Sequence, residues 1–293
     1  MAISDLDSCI SGLSKDFFFY KQFSHTGINQ NQSVTYMSSW MLSGAPSNAP
    51  VIFPGPSGYA FDTTTGGDMP YWTFPFIQPT STKRTYLNNG FLVGAHLGQL
   101  TFCDRIWQSQ VFPLTGNDIF TVHSTGSFPF PSRDETGGNN GYGYLTLCEI
   151  VQVPSAQFAA NKPDNPTIIY TNHLGVPNRT GQFSPGVFGN FSQGNVLPVG
   201  AHIPIYRTPG DEGIRSIQQI RPSGAFSVSV GPISGQIVVY RIIETFNDQL
   251  FEAGSSMLGL PKQSLYSGTT PFALLPISTN TGFVFGSFNY IHC

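Results

Sequence analysis

The chain has 293 residues, a formal net charge of −3, 40% hydrophobic residues and only 10% charged ones, where an ordinary globular domain has about 25% charged. Its 25 Phe and 12 Tyr exclude simple disorder, which goes with few aromatics. Its 13 thinly spread Lys and Arg form no basic stripe, so direct nucleic-acid binding has no electrostatic footprint. A surface so poor in charge is expected to be a neutral, Thr/Asn-covered β surface, or one covered by copies of itself or a partner.

No basic segment precedes an apolar one around Asp5 and Asp7, so no secretory leader is expected. No apolar run reaches the roughly 18 residues of a membrane-spanning helix. A short helix is expected to start within 4–20, with Ser4 as its cap and Asp5 and Asp7 at its positive end. By Phe17-Phe18-Phe19-Tyr20 the sequence reads as β. Residues 21–87, rich in Ser, Thr, Gly, Pro and Asn, read as an extended arm or layer of long loops pinned by Trp40, Tyr59, Tyr71, Trp72, Phe74 and Phe76.

Asn89-Gly90 has the signature of a turn. After it come strand-length runs at 91–93, 100–107, 118–123, 142–153 and 167–171. The 154–166 segment reads as a Pro-rich loop with one helical turn near Ala159, and 172–197 is rich in Gly, Asn and Ser. Strands resume at 199–206, 214–220, 226–230 and 236–243, a helical turn is expected at 246–253, and 271–277 and 283–291 complete the series. Many short β runs between turn residues predict an all-β fold, an antiparallel β-sandwich or jelly-roll-like domain. One face of the aromatic strand at 283–291 is expected to join the core. The expected division is an N-terminal helix and arm over 1–87 and a sandwich over 88–293, with an alternative of two subdomains meeting near 172–197.

Chemical motifs are scarce. None of His25, His96, His123, His173, His202 and His292 has a second histidine at metal-ligand spacing. Cys9, Cys103, Cys148 and Cys293 are far apart, so Cys148 is expected to be a buried thiol and no disulfide framework is expected. No Gly-x-Ser-x-Gly elbow occurs, and Gly137-Gly138-Asn139-Asn140-Gly141 lacks the Lys and helix of a phosphate loop. Asp134-Glu135 and Asp211-Glu212 are each followed closely by Gly, as in exposed turns. Two carboxylates across an aromatic groove would suit a glycoside hydrolase, the strongest enzymatic alternative. Calcium stays open as an alternative, with oxygens from Asp62, Asp68 or the 134–135 turn, although none has the dense spacing of a dedicated loop. The chain is therefore expected not to be an enzyme, with no catalytic residue, cofactor or metal.

Several segments, in order, carry a resemblance. They are Ser38-Ser39-Trp40 with Gly44-Ala45-Pro46, Phe74-Pro75-Phe76, Thr101-Phe102-Cys103-Asp104-Arg105-Ile106-Trp107, and Tyr170-Thr171-Asn172 with Asn178-Arg179-Thr180-Gly181. They continue through Gly210-Asp211-Glu212-Gly213-Ile214-Arg215-Ser216-Ile217-Gln218, Phe272-Ala273-Leu274-Leu275-Pro276 and Thr281-Gly282-Phe283-Val284-Phe285-Gly286. Over most of its length the chain thus resembles a family of tailed-bacteriophage virion structural proteins, departing from it in its richness in Phe and Asn and in Cys103. The resemblance implies membership of a particle, at its head, and assigns no enzymatic residue.

From the residues themselves, Asp104-Arg105 is expected to form a local ion pair at a strand end with Trp107 packed inward. Arg215 is expected to lock the turn beside Asp211. Arg105, Arg179 and Arg215, like Trp40, Trp72, Phe74 and Phe76, are expected either to be fixed in local contacts or to lie in a subunit interface. The expected function is a capsid decoration or head-stabilising protein, a homo-oligomer with a trimer favoured, on the lattice of the major capsid protein. It would lie on the outer capsid surface, assembled in the host cytoplasm, without direct contact with nucleic acid or membrane. The alternatives are a tail, neck or baseplate protein, and a host glycan-binding module with Trp40, Tyr71 or Trp72 as stacking platforms.

Overall fold

Short runs rich in Ile, Val, Phe, Tyr and Thr favour pleated pairing over helix. A computed structural model describes residues 13–24, 36–39, 43–45, 59–61, 74, 76, 78–82, 84–94, 99–114, 118–122, 130–152, 159–160, 166–184, 199–222, 226–227, 233–247, 255–258, 264–276 and 281–292. Among them every regular element is a strand. The first ten are β1 (Leu13–Ser24), β2 (Tyr36–Ser38), β3 (Ser43–Ala45), β4 (Tyr59–Ala60), β5 (Thr85–Gly94), β6 (Gln99–Gln108), β7 (Phe112–Pro113), β8 (Phe120–Thr121), β9 (Leu145–Gln152) and β10 (Ala159–Ala160). They are followed by β11 (Thr167–Asn172), β12 (Arg179–Phe183), β13 (Ala201–Tyr206), β14 (Ile214–Arg221), β15 (Phe226–Ser227), β16 (Ser234–Asn247), β17 (Ser255–Leu258), β18 (Ser264–Leu265), β19 (Pro271–Pro276) and β20 (Thr281–His292).

The strands form two large antiparallel sheets and the small β10–β15 pair. The six-stranded sheet runs β17-β5-β20-β1-β3, with β18 also on β5. The twelve-stranded sheet runs β2-β19-β6-β16-β9-β13-β12-β11-β14-β8, with β4 on β6 and β7 on β16. A further pairing of β2 with β13, Met37 opposite Ala201 and Tyr36 opposite His202, closes β2, β19, β6, β16, β9 and β13 into a ring. The larger sheet therefore contains a six-stranded barrel, and β12, β11, β14 and β8 extend from it.

The two faces of the barrel wall carry different cores. Cys103, Leu147, Val238, Tyr240, Phe272 and Leu274 pack together with Phe61. They come from β6, β9, β16 and β19, not all of them neighbours, so this face is the inside of the ring. Outside, Phe102 of β6 meets Phe288 of β20 at 4.5 Å between ring centroids. Phe74 stacks on Phe102 at 6.0 Å and meets Phe288 edge-on at 5.3 Å. These three rings join the two sheets, as the centre of a sandwich core. On β20 it is Phe288 and Tyr290, two residues apart, that enter this core, as the alternation of that strand implied.

A β-bulge shapes β6. Val239 pairs with Trp107 and Tyr240 with Arg105, so Ile106 is an extra residue. The bulge turns Ile106 and Trp107 both to the outer core and returns Gln108 to the side of Arg105.

Several sequence expectations are corrected. Residues 13–16 of the expected helix are strand, continuous with the β reading at 17–20: β1 pairs over its whole length with β20, from Leu13 opposite His292 to Ser24 opposite Thr281. Twelve cross-strand pairs outweigh a cap signal, and residues 4–12 lie outside the described ones. Asn89-Gly90 is no turn but part of β5, with Asn89 opposite Asn289 and Gly90 opposite Phe288, next to a register shift. The continuous partner strand pairs both residues, and the extra residue of the adjoining bulge is Asn88. Ala159 is in β10 instead of a helical turn. Residues 246–247 end β16, while 248–253 are outside the described residues. Within the stretch read as arm or loops, β2, β3 and β4 are strands of the two sheets.

Candidate functional site

The informative chemistry lies in the carboxylates of Asp104, Glu149 and Asp211, and in a cleft built upon the first of them. Asp104 and Arg105 are neighbours, but successive side chains of a strand point to opposite faces. They do not form the expected local ion pair, and each takes partners from elsewhere in the fold.

Arg105 projects into the barrel. Its Nη2 donates to Glu149 Oε2 at 2.7 Å and to Gln108 Oε1 at 2.8 Å, and its guanidinium lies between the rings of Phe61 and Phe272. Gln236 Nε2 donates to the same Glu149 oxygen at 2.7 Å. The other oxygen, Oε1, faces His202 Nε2 at 3.7 Å. His202 donates from Nδ1 to Gly200 O at 2.9 Å, which leaves Nε2 unprotonated in the neutral ring. Neither Nε2 nor Oε1 completes a hydrogen bond. Burial pushes His202 below its usual range, and so does the charge of Arg105, against the pull of Glu149 and the carbonyls of Gly200 and Tyr36. Burial pushes Glu149 up, but the charge of Arg105 and the hydrogen bonds of Arg105 and Gln236 outweigh it and hold it below the usual carboxylate range.

Asp104 projects to the outer face. Arg133 grips it through Nε at 2.9 Å and Nη2 at 3.2 Å, the paired geometry that makes Arg–carboxylate contacts strong. The Thr270 amide donates to Asp104 Oδ1 at 2.8 Å, and Arg241 Nη2 stands 3.9 Å from Oδ2. Asp104 thereby ties together two segments, 131–138 and 264–270, that are over a hundred residues apart in the chain.

Between these segments and residues 79–82 and 84 opens a cleft of about 710 Å³, with Thr80, Ser81, Arg84, Glu135, Tyr266 and Ser267 among its walls. One wall is fixed by Asp134, whose carboxylate accepts from the amides of Thr136, Gly138 and Asn140 and from the Thr136 hydroxyl. In the other, the Tyr266 amide donates to Thr269 Oγ1 at 3.0 Å, and the buried Arg241 guanidinium lies 4.6 Å from the centre of the Tyr266 ring.

The third carboxylate is Asp211, which takes Arg179 instead of Arg215. Arg179 donates to it from Nε at 3.0 Å and Nη2 at 3.3 Å, Asn172 Nδ2 at 2.7 Å, and the Tyr170 hydroxyl completes the set. Burial pushes the carboxyl up, but these hydrogen bonds prevail and hold it at about 2. Asn172 also accepts from the amides of Leu174 and Val176, so the tight turn carrying those two exposed apolar side chains is held from below. In both acidic pairs the first carboxylate, Asp134 and Asp211, is locked by hydrogen bonds and the second, Glu135 and Glu212, is exposed. The two turns meet where Gly213 faces Gly141, and a Cβ on Gly213 would lie 1.9 Å from Gly141 O.

Of the other singled-out residues, Phe74, Phe76 and Trp107 are buried, Arg215 is half-buried, and Trp40 and Trp72 lie outside the described residues. Among the described residues no group of three or more His, Cys, Asp or Glu could hold a metal ion. Sequence reasoning missed Arg133, Glu149, His202, Gln236 and Arg241. Glu149 and Arg241 did carry a signal, as single charges inside strand-length apolar runs, where burial demands a partner.

No family model matches the chain, and no curated protein matches it. Among solved structures it is similar to a chain in the structure of infectious bursal disease virus Gt strain, with 12% identity over 96% of this chain and 81% of that one, at a TM-score of 0.17. The VP2 subviral particle of infectious bursal disease virus gives 11% identity, 99% and 82% coverage and a TM-score of 0.18. The Gx strain gives 10%, 96% and 81%, and 0.16. TM-scores of this size do not establish a common fold.

Proposed function

We propose that this chain is a structural subunit of a virus particle, acting through the packing of a charge-poor β surface against neighbouring subunits. The observation that carries the reading is where the charge lies. Asp104, Arg105, Arg133, Glu149 and Arg241 are 0–3% exposed, so even in a chain with only 10% charged residues part of that charge is withdrawn from the surface. A monomer free in solution relies on charge at its surface, whereas charged residues are depleted at the core of subunit interfaces. The exposed Leu174 and Val176, on a turn held by Asn172 and Asp211, supply a rigid apolar tip for such a contact.

Within this reading, the resemblance to tailed-phage virion proteins favours a head decoration or stabilising protein. It would bind the major capsid protein lattice on the outer face as a homo-oligomer, a trimer first, after assembly in the host cytoplasm. Arg105 and Asp104 then serve to hold the subunit's shape, and the outer β surface makes the contacts. The test is to locate the chain in purified particles by cryo-electron microscopy and to measure the mass of the isolated protein by light scattering. Density on the outer head surface and an oligomeric mass are expected. Density along the tail axis would overturn the decoration reading, and absence from the particle together with a monomeric mass would overturn the structural one.

A further inference from the structure

We infer that the cleft between residues 79–82 and 84 and the segments 134–138 and 264–270 is a binding site for an uncharged saccharide. Its volume of about 710 Å³ falls within the roughly 300–1,000 Å³ of small-molecule sites. Such sites are mostly apolar, but this one is lined, beside Pro79 and Leu265, by Ser81, Ser267, Arg84, Glu135 and Tyr266, which bring hydroxyls, a guanidinium, a carboxylate and a ring to it. An apolar ligand would strand those groups without partners. An anion would meet Glu135, and a cation Arg84. A ligand dense in hydroxyls and without charge satisfies both: vicinal hydroxyls donate to the carboxylate and accept from the guanidinium fork, and the C–H face of a pyranose ring suits an aromatic side chain.

The site is also built. Its two main walls are tied through Asp104, which binds Arg133 beside one and the Thr270 amide in the other. Asp134 fixes the loop that carries Glu135, and Arg241 backs the Tyr266 ring. Walls held in this way lose little freedom when a ligand arrives. The inference is independent of the particle reading, since it rests on the cleft alone.

The test is to screen the full chain on an array of neutral oligosaccharides (glucose-, galactose-, mannose- and N-acetylglucosamine-containing) beside sialylated and sulfated ones, at low and high salt. The best neutral binder is then titrated by calorimetry against the parent and against Arg84→Ala and Glu135→Gln. Both side chains are exposed, so both variants are expected to keep the parent's circular dichroism spectrum. At least one neutral oligosaccharide is expected to bind saturably at both salt concentrations, and each variant to weaken it about tenfold or more, which is about 1.4 kcal/mol. Binding restricted to acidic glycans and lost at high salt would overturn the inference, as would no binding to the array or folded variants that bind like the parent.

Discussion

Glu149 and His202 sit directly opposite each other on β9 and β13 inside the barrel, Oε1 facing Nε2 at 3.7 Å with no proton donor between them. Each of these two acceptors lacks what a proton on the imidazole would provide, yet burial and Arg105 hold that proton off.

Acid is therefore expected to destabilise the barrel in two stages. His202 is lowered from its ordinary 6.5, so the unfolded chain takes up a proton below about pH 6.5 that the folded chain refuses, and stability falls as pH drops through that range. Glu149 is lowered from 4.5, so its contribution is full above about pH 4.5 and is lost below it. Urea midpoints between pH 7.5 and 4 would show this. His202→Phe should flatten the decline between pH 7 and 5, and an unchanged decline would sink the assignment.

The Arg105–Glu149 pair should be costly to break and cheap to replace. Arg105→Met leaves the Glu149 carboxylate buried without its cation and is expected to lose about 3–5 kcal/mol of unfolding free energy. The double variant Arg105→Met, Glu149→Met removes both charges and should recover a good part of that loss. A double variant as unstable as the sum of the two single ones would contradict the pairing.

Tyr290 offers the opposite sign. Its ring packs edge-on to Phe17 at 5.6 Å, but its hydroxyl is buried without a hydrogen-bond partner, and burial pushes its ionisation far upward. An unsatisfied buried hydroxyl costs about 1–3 kcal/mol. Tyr290→Phe keeps the ring and is expected to raise the thermal midpoint; a lower midpoint would mean that the hydroxyl has a partner, such as a buried water.

The Asp211 cluster should outlast the barrel in acid. With its carboxyl at about 2, its contacts to Arg179, Tyr170 and Asn172 persist until the pH falls well below 3.8. Hydrogen exchange at pH 4.5 is expected to show protection kept at 172–179 while the β9 and β13 amides near Glu149 and His202 loosen. Asp211→Asn should speed exchange at Leu174 and Val176 and leave β9 unchanged.

The strands were largely legible because a pleated surface needs alternating apolar side chains bounded by turn residues, and 100–107, 167–171 and 214–220 meet that need locally. What could not be read depended on distant partners. β1 resembles a helix start until β20 lies beside it, and Asn89-Gly90 resembles a turn until the same strand pairs through it. The three residues of β2 have no local reason to be strand; they become one between β19 and β13. The same holds for the sites. Asp104, Arg105 and Asp211 stood out as charges in a chain with few, but their partners Arg133, Glu149 and Arg179 come from 29, 44 and 32 residues away. Adjacent numbering favoured Asp104 with Arg105 and Asp211 with Arg215, and strand alternation and loop geometry decided otherwise.

The pairing of β1 with β20 sets a condition on synthesis. Leu13 lies opposite His292, so the central pair of the six-stranded sheet cannot be completed until residue 292 has left the ribosome. Contacts of such sequence separation also form slowly. Until then β5 and the emerging N-terminal strand have unpaired edges, which are open to pairing with other nascent chains. Translation products that stop short of β20 would keep those edges, and the cell would meet them as substrates for chaperones and proteases.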